Sequence, residues 1–177
     1  INRGQLLQRL VAKTFLREEH QLGNQTEAST KRNLLAFLAF ETRKEGERTF
    51  SWTRAKDLFV EGSKKLQATS LDVPKLIGEL CANHLLVKVG PDLLSFRHEL
   101  YQEFFAAIEL KTQWELQVDE GRRLLLVGGL EWGERLRLFA DLVDEHFGVA
   151  RSLAEASPFI AAKIYLDAGH EDKDVRK

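Results

Sequence analysis

His98-Glu99-Leu100-Tyr101-Gln102 reads HExxQ, one residue short of the HExxH pattern in which two histidines one helical turn apart hold zinc and the glutamate activates water. The fifth position is an amide, a poor zinc ligand, and no acidic or histidine cluster nearby replaces it, so no metal site is assigned. Cys81 and His84 also stand at a ligand-like spacing, but two ligands leave a tetrahedral site half filled. They read as a core cysteine and a histidine at a helix end. Gly128-Gly129-Leu130-Glu131-Trp132-Gly133 is glycine-rich, yet it lacks the lysine that follows the last glycine of a GxxxxGK[ST] loop, and its glutamate would repel phosphate. It reads as an interhelix turn. Spacing suggests no serine, histidine and aspartate set, and no catalytic residue is assigned.

His98 is the residue that retains a chemical role. It stands where a strand is expected to end and a helix to begin, beside unsatisfied backbone N–H groups and the positive end of a helix dipole. Such a place is receptive to a phosphate oxygen. The alternative is a histidine that caps the helix or packs at its start.

The stretch that positions it is LLVKVGPDLLSFRHELYQEFFAAI, from Leu85 to Ile108. The apolar runs Leu85 to Val89 and Leu93 to Phe96 flank Gly90-Pro91-Asp92, which predicts a hairpin. In the helix that follows, Leu100, Phe104 and Ala107 fall on one stripe with Tyr101, Phe105 and Ile108 beside it, and Glu99, Gln102 and Glu103 are expected on the wet side. Before the hairpin, Asp72 as N-cap and Pro74 in the first turn start a helix over Val73 to Asn83.

The rest of the chain supplies neighbours. Gln5 to His20 is an expected amphipathic helix, with Leu6, Leu7, Leu10, Val11 and Phe15 inward and Arg9, Lys13 and Arg17 opposite. The polar segment Gln21 to Ser29 reads as a linker. Thr30 to Glu45 predicts a helix apolar nearly all round, ending at Gly46, followed by a strand over Arg48 to Ser51 and a helix from Trp52 to about Gly62 capped by Ser51. Beyond Lys111, helical segments over Glu120 to Val127, Glu134 to Asp144, Val149 to Ala156 and Pro158 to Ala168 resemble stacked helix pairs. Leu136, Phe139, Leu142 and Val143 are expected inside one of them, and Phe159, Ile160 and Ile164 inside another. The tail from Gly169 is mostly charged.

The order helix, strand, helix, helix, wing, helix predicts a mainly α chain. Its middle would be a winged-helix domain with a small β wing, and its end the start of an α-helical superhelix of HEAT or armadillo type. The expected boundaries are 1–24 for the end of a preceding helical domain, 30–112 for the winged helix and 113–177 for the superhelix.

Composition narrows the partners. The 177 residues carry 26 Lys+Arg against 27 Asp+Glu, a net charge of -1, so no positive field suggests a polyanion ligand. The would-be reading helix and wing hold Lys75, Lys88 and Arg97 against Asp72, Glu79 and Asp92, and only Asn83 is a fair candidate for base contact. One cysteine fits a reducing, cytoplasmic setting. No apolar run reaches the roughly 20 residues of a membrane span. A start at Ile1 and the lack of any methionine lead us to expect a piece of a longer polypeptide.

FRHELYQEFFAA, Phe96 to Ala107, resembles the F-x-H-x-x-(F/Y)-Q-E-(F/Y)-(F/L)-A-A signature that closes the winged-helix domain of NACHT-type STAND NTPases, the group that includes NOD-like receptors and bacterial relatives. The preceding LIGELCANHLLVKVGPDLLSF fits the same region. Asn2-Arg3-Gly4-Gln5-Leu6-Leu7 is similar to a helix start in the helical domain after the NTPase core. WGERLRLFADLV and SPFIAAKIYLDAG are similar to the segment after the winged helix.

The resemblance implies that His98 contacts the β-phosphate of ADP held by an absent NTPase core, with Phe96 and Phe104 to Ala107 as structural support. It also implies ADP or ATP with magnesium in the longer protein, none held by this piece alone, and oligomerisation on activation. Walker motifs are missing here, so the ATPase activity would lie upstream and this piece would latch and relay. A DNA-binding winged-helix regulator and a helical scaffold for protein partners are the alternatives.

Overall fold

The structure, a computed structural model, describes residues 2–22, 27–68, 71–116, 133–143, 146–154, 158–162 and 164–166. The described residues are mainly helical, with a small three-stranded antiparallel sheet. It divides into two units, one of residues 6–109 and one of residues 1–5 with 110–177.

The larger unit takes in most of α1 (Arg3–Leu22), then α2 (Ala28–Lys44), β1 (Thr49–Ser51), α3 (Trp52–Lys65), α4 (Val73–Ala82), β2 (Leu86–Lys88), β3 (Leu93–Phe96) and the beginning of α5 (Glu99–Glu115). Polar side chains fix where α3 and α4 begin. Ser51 accepts the N–H of Arg54 at 3.0 Å and Asp72 that of Lys75 at 3.1 Å, so each offsets a donor that a helix start leaves open.

The ends of α2, α3 and α4 share one device. After each, a residue in the left-handed region turns the chain: Gly46 at φ 76°, Gln67 at φ 55° and His84 at φ 57°. The N–H of that residue and the next one bond back to Arg43 and Thr42, to Lys64 and Ser63, and to Cys81 and Leu80. This pair of return bonds is the Schellman arrangement, which satisfies the last carbonyls of a helix.

Strand order is β1-β3-β2, with Phe50 opposite Leu94 and Val87 opposite Ser95. The Val89 N–H donates to Leu93 O at 2.9 Å and closes the wing, while the Trp52 N–H donates to Asp92 O at 2.8 Å and continues the β1 edge. One face of the sheet buries Phe50, Leu86, Leu94 and Phe96. The Phe96 ring lies 6.1 Å from both Phe50 and Phe105, and Phe105 meets Phe104 at 5.5 Å, so an aromatic chain fastens the sheet to α5. Residues 34–40 of α2 are all buried, as expected of a helix apolar on every side.

Several side chains depart from the sequence expectation. In α1 the buried line is Leu7, Val11 and Phe15, whereas Leu6 and Leu10 are 51% and 46% exposed. These three form a narrow i, i+4 row, and the two leucines fall about 100° to its side. Gln102 and Glu103 are buried, at 1% and 5% exposure, and not on a wet face. Residues 102–108 of α5 are covered on all sides, and these two polar groups are paired inside. Cys81 is half-buried and not a core residue.

In the smaller unit, α6 (Gly133–Leu142), α7 (His146–Leu153) and helical residues 158–162 and 164–166 are short helices. Leu136, Leu138, Phe139, Val149, Leu153 and Ile164 are buried, and the Trp114 ring stands edge-on to Phe139 at 6.2 Å. Phe159, expected inside, is 91% exposed. The buried pair is Ala161 and Ile164, three residues apart, and Phe159 lies about 200° around the helix from Ala161. Leu142 is half-buried, with Leu138 the inward residue. The segment expected over Glu120 to Val127, the Gly128-Gly129 turn and the tail from Gly169 lie outside the described residues.

Candidate functional site

The start of α5 is fixed from both sides. Phe96 anchors the end of β3 in the aromatic chain, and the Arg97 N–H donates to Leu85 O at 3.0 Å, carrying the ladder one residue further. The chain then leaves the sheet, and His98 stands exposed just before α5. Its carbonyl accepts the Tyr101 N–H at 2.9 Å and the Gln102 N–H at 3.4 Å, so His98 occupies the residue from which the helix grows. Its ring lies edge-on to Tyr101, with centroids 5.4 Å apart.

The carboxylates in the first turns of α5 are paired with cations from the end of α2 and the residues after it. Glu99 lies 3.1 Å from Arg48 and 3.7 Å from Arg43, so the carboxylate next to His98 has cationic partners. Arg43 also pairs with Glu103, and both of those side chains are nearly out of solvent. Arg48 is largely exposed. The carboxylate of Glu99, the residue after His98, is thus shared by two guanidinium groups at the start of α5.

Glu99, Gln102 and Glu103 share the face of α5 that meets the end of α2. The Gln102 carboxamide donates from Nε2 to Thr42 Oγ1 at 3.0 Å and to Glu47 O at 2.9 Å. Thr42 in turn donates to Leu38 O at 2.8 Å. These acceptors are the two ends of the Schellman turn that closes α2: Thr42 gives the carbonyl that receives the Glu47 N–H at 2.8 Å. Sequence reasoning passed over Thr42, Arg43 and Glu47. The signal was the pairing of two polar groups at the end of an apolar helix with a Glu, Gln and Glu set at i, i+3 and i+4 on another.

The two ends of HExxQ therefore face different surroundings: His98 is at the surface, whereas Gln102 is engaged within. Among the described residues no group of three or more His, Cys, Asp or Glu is placed to hold a metal ion. The spacing of Cys81 and His84 has a backbone explanation, since the His84 N–H donates to Cys81 O at 3.1 Å in the turn that ends α4. Burial pushes the Cys81 thiol up, and the Lys88 ammonium partly opposes that.

The exposed residues of α4 are Pro74, Lys75, Gly78 and Ala82, which include one cation and no Arg, Asn or Gln for base edges. Asn83 is half-buried, and its Nδ2 is buried without a hydrogen-bond partner. Among the described residues no helix is long and apolar enough to cross a membrane.

No protein-family model, no curated protein and no solved structure matches the chain.

Proposed function

We propose that the chain is the regulatory region of a NACHT-type STAND signalling ATPase, in which a winged helix latches an ADP-bound inactive state through His98. The observation that carries this reading is the exposed imidazole of His98 at the start of α5, one residue beyond the β-ladder, within the FRHELYQEFFAA stretch. Helix α2, β1, α3, α4 and the β2–β3 wing in a β1-β3-β2 sheet support the winged-helix description. The successive short helices α6 and α7 and the helical residues 158–162 and 164–166 support the start of a HEAT-like superhelix.

On this reading residues 1–24 end the helical domain after the NTPase core, 30–112 form the winged helix and 113–177 begin the superhelix. The core supplies ADP or ATP with magnesium and carries out hydrolysis, and this region contributes no catalytic group. The protein is cytoplasmic and oligomerises when released.

A contact made only in the closed state biases a two-state equilibrium, and a coupling of about 1–3 kcal/mol shifts populations about 5- to 150-fold. The test is ADP release from the longer polypeptide that contains the core. His98→Ala is expected to accelerate release by at least about fivefold, and an unchanged release rate overturns the assignment. Retardation of a DNA duplex by this chain at low salt, lost as salt rises, would support the DNA-binding alternative instead.

A further inference from the structure

We infer that Gln102, Thr42 and the Arg43–Glu103 pair are positioning residues for His98, so that the closing turn of α2 governs how the imidazole is presented. The inference rests on the reading of His98 as the contact residue, and deepens it. A side chain on the residue from which a helix grows is only as well placed as the helix's first turn, because the N–H groups of that turn have no partner within the helix. Here the first turn is held from outside. Gln102 lies four residues beyond His98, and its N–H bonds to the His98 carbonyl while its side chain grips α2.

The geometry of the grip is specific. A carboxamide nitrogen has two hydrogens, and both are used, one on Thr42 Oγ1 and one on Glu47 O. Those two acceptors come together only because Gly46, at φ 76°, folds Glu47 back over the last turn of α2. Opening that turn would separate them, and Gln102 could keep one partner at most. The Arg43–Glu103 pair and the Arg43–Glu99 approach at 3.7 Å add a second fastening on the same face of α5. Rotation of α5 about its axis, which would swing His98 around the helix start, is opposed by both. Movement at the end of α2 is thereby passed to His98 through one amide and one guanidinium.

The experiment uses this chain without nucleotide, and reads the imidazole proton resonances of His98 together with amide exchange. Thr42→Val removes the hydroxyl at nearly constant volume, and Thr42→Ser restores it. Gln102→Met removes both donors. Thr42→Val and Gln102→Met are expected to shift the His98 ring signals, which sense the Tyr101 ring, and to speed exchange of the Tyr101 and Gln102 amides about tenfold relative to those of the β2–β3 hairpin. Thr42→Ser is expected to match the parent chain.

His98 signals that stay in place in a folded Thr42→Val chain overturn the proposal. So does equal acceleration at α5 and the hairpin, which marks general stabilisation only. Because no nucleotide is present, this outcome is separate from that of ADP release in His98→Ala.

Discussion

Lys31 Nζ lies 2.8 Å from Glu79 Oε2, joining α2 to α4 with the two side chains only 2% and 9% exposed. An ion pair this far from solvent gains strong attraction but has lost its hydration, so its net contribution is small while the cost of halving it is large. Glu79→Ala is expected to lower unfolding free energy by about 3 kcal/mol, because it removes this carboxylate from a buried ammonium. The double variant Lys31→Met/Glu79→Leu should lose much less. Urea midpoints of the three chains decide it, and a double variant as weak as the single one would refute the ion-pair account.

The shared ending of α2, α3 and α4 gives a prediction with opposite signs. Gly46 has no Cβ and takes a positive φ freely, whereas Gln67 and His84 adopt the same region against a steric cost. Gly46→Ala should destabilise by about 1–2 kcal/mol, and His84→Gly and Gln67→Gly should each stabilise by up to about 1 kcal/mol. Thermal unfolding measures all three. A loss of stability in His84→Gly would mean that its side chain makes a contact worth more than the backbone strain.

Cys81 ties stability to pH. Its thiol is pushed up by burial, so the folded state holds the proton more tightly than the unfolded chain does. The associated stability is complete below the ordinary thiol value of about 8.5 and is lost as pH rises through the folded value. Cys81→Ala should therefore flatten the decline in stability above about pH 8.5. In the parent chain, iodoacetamide should modify Cys81 more slowly at pH 8 than it modifies a free cysteine. Modification at the free rate would contradict the burial.

These devices differ in how visible they are before folding. The hairpin around Gly90-Pro91-Asp92 and the caps at Ser51 and Asp72 are local, set by residues next to one another, and periodicity with turn chemistry locates them. Gln102 is different. Its polarity placed it on the wet side of an isolated helix, and only the partners at Thr42 and Glu47, some 60 and 55 residues away, make its burial acceptable. Phe159 fails in the other direction, because aromatic character marks a side chain as worth burying but does not decide which side of a short helix finds a neighbour. At the candidate site, the position of His98 between β3 and α5 follows from local pattern, and the clasp behind it does not.

Asp141 holds the start of α1, and the contact leaves no room for a side chain. The Gly4 N–H donates to Asp141 Oδ2 at 3.0 Å, and Asn2 Nδ2 donates to Asp141 O at 3.1 Å while Asn2 Oδ1 accepts the Gln5 N–H at 2.8 Å. A Cβ at Gly4 would stand 2.6 Å from Asp141 Cβ, with Leu138 O and Leu142 Cγ each at 3.4 Å. In an unobstructed helix Gly→Ala gains about 1 kcal/mol, so the sign of the effect reports whether α6 is seated there. Gly4→Ala is expected to destabilise by about 1–3 kcal/mol instead. Asp141→Ala will not relieve the overlap, because the colliding atom is its Cβ, which alanine keeps. Asp141→Gly removes that atom, so the double variant should lose less than the sum of the two single losses. Strictly additive losses, or a stabilised Gly4→Ala chain, would show that α1 begins without resting on α6.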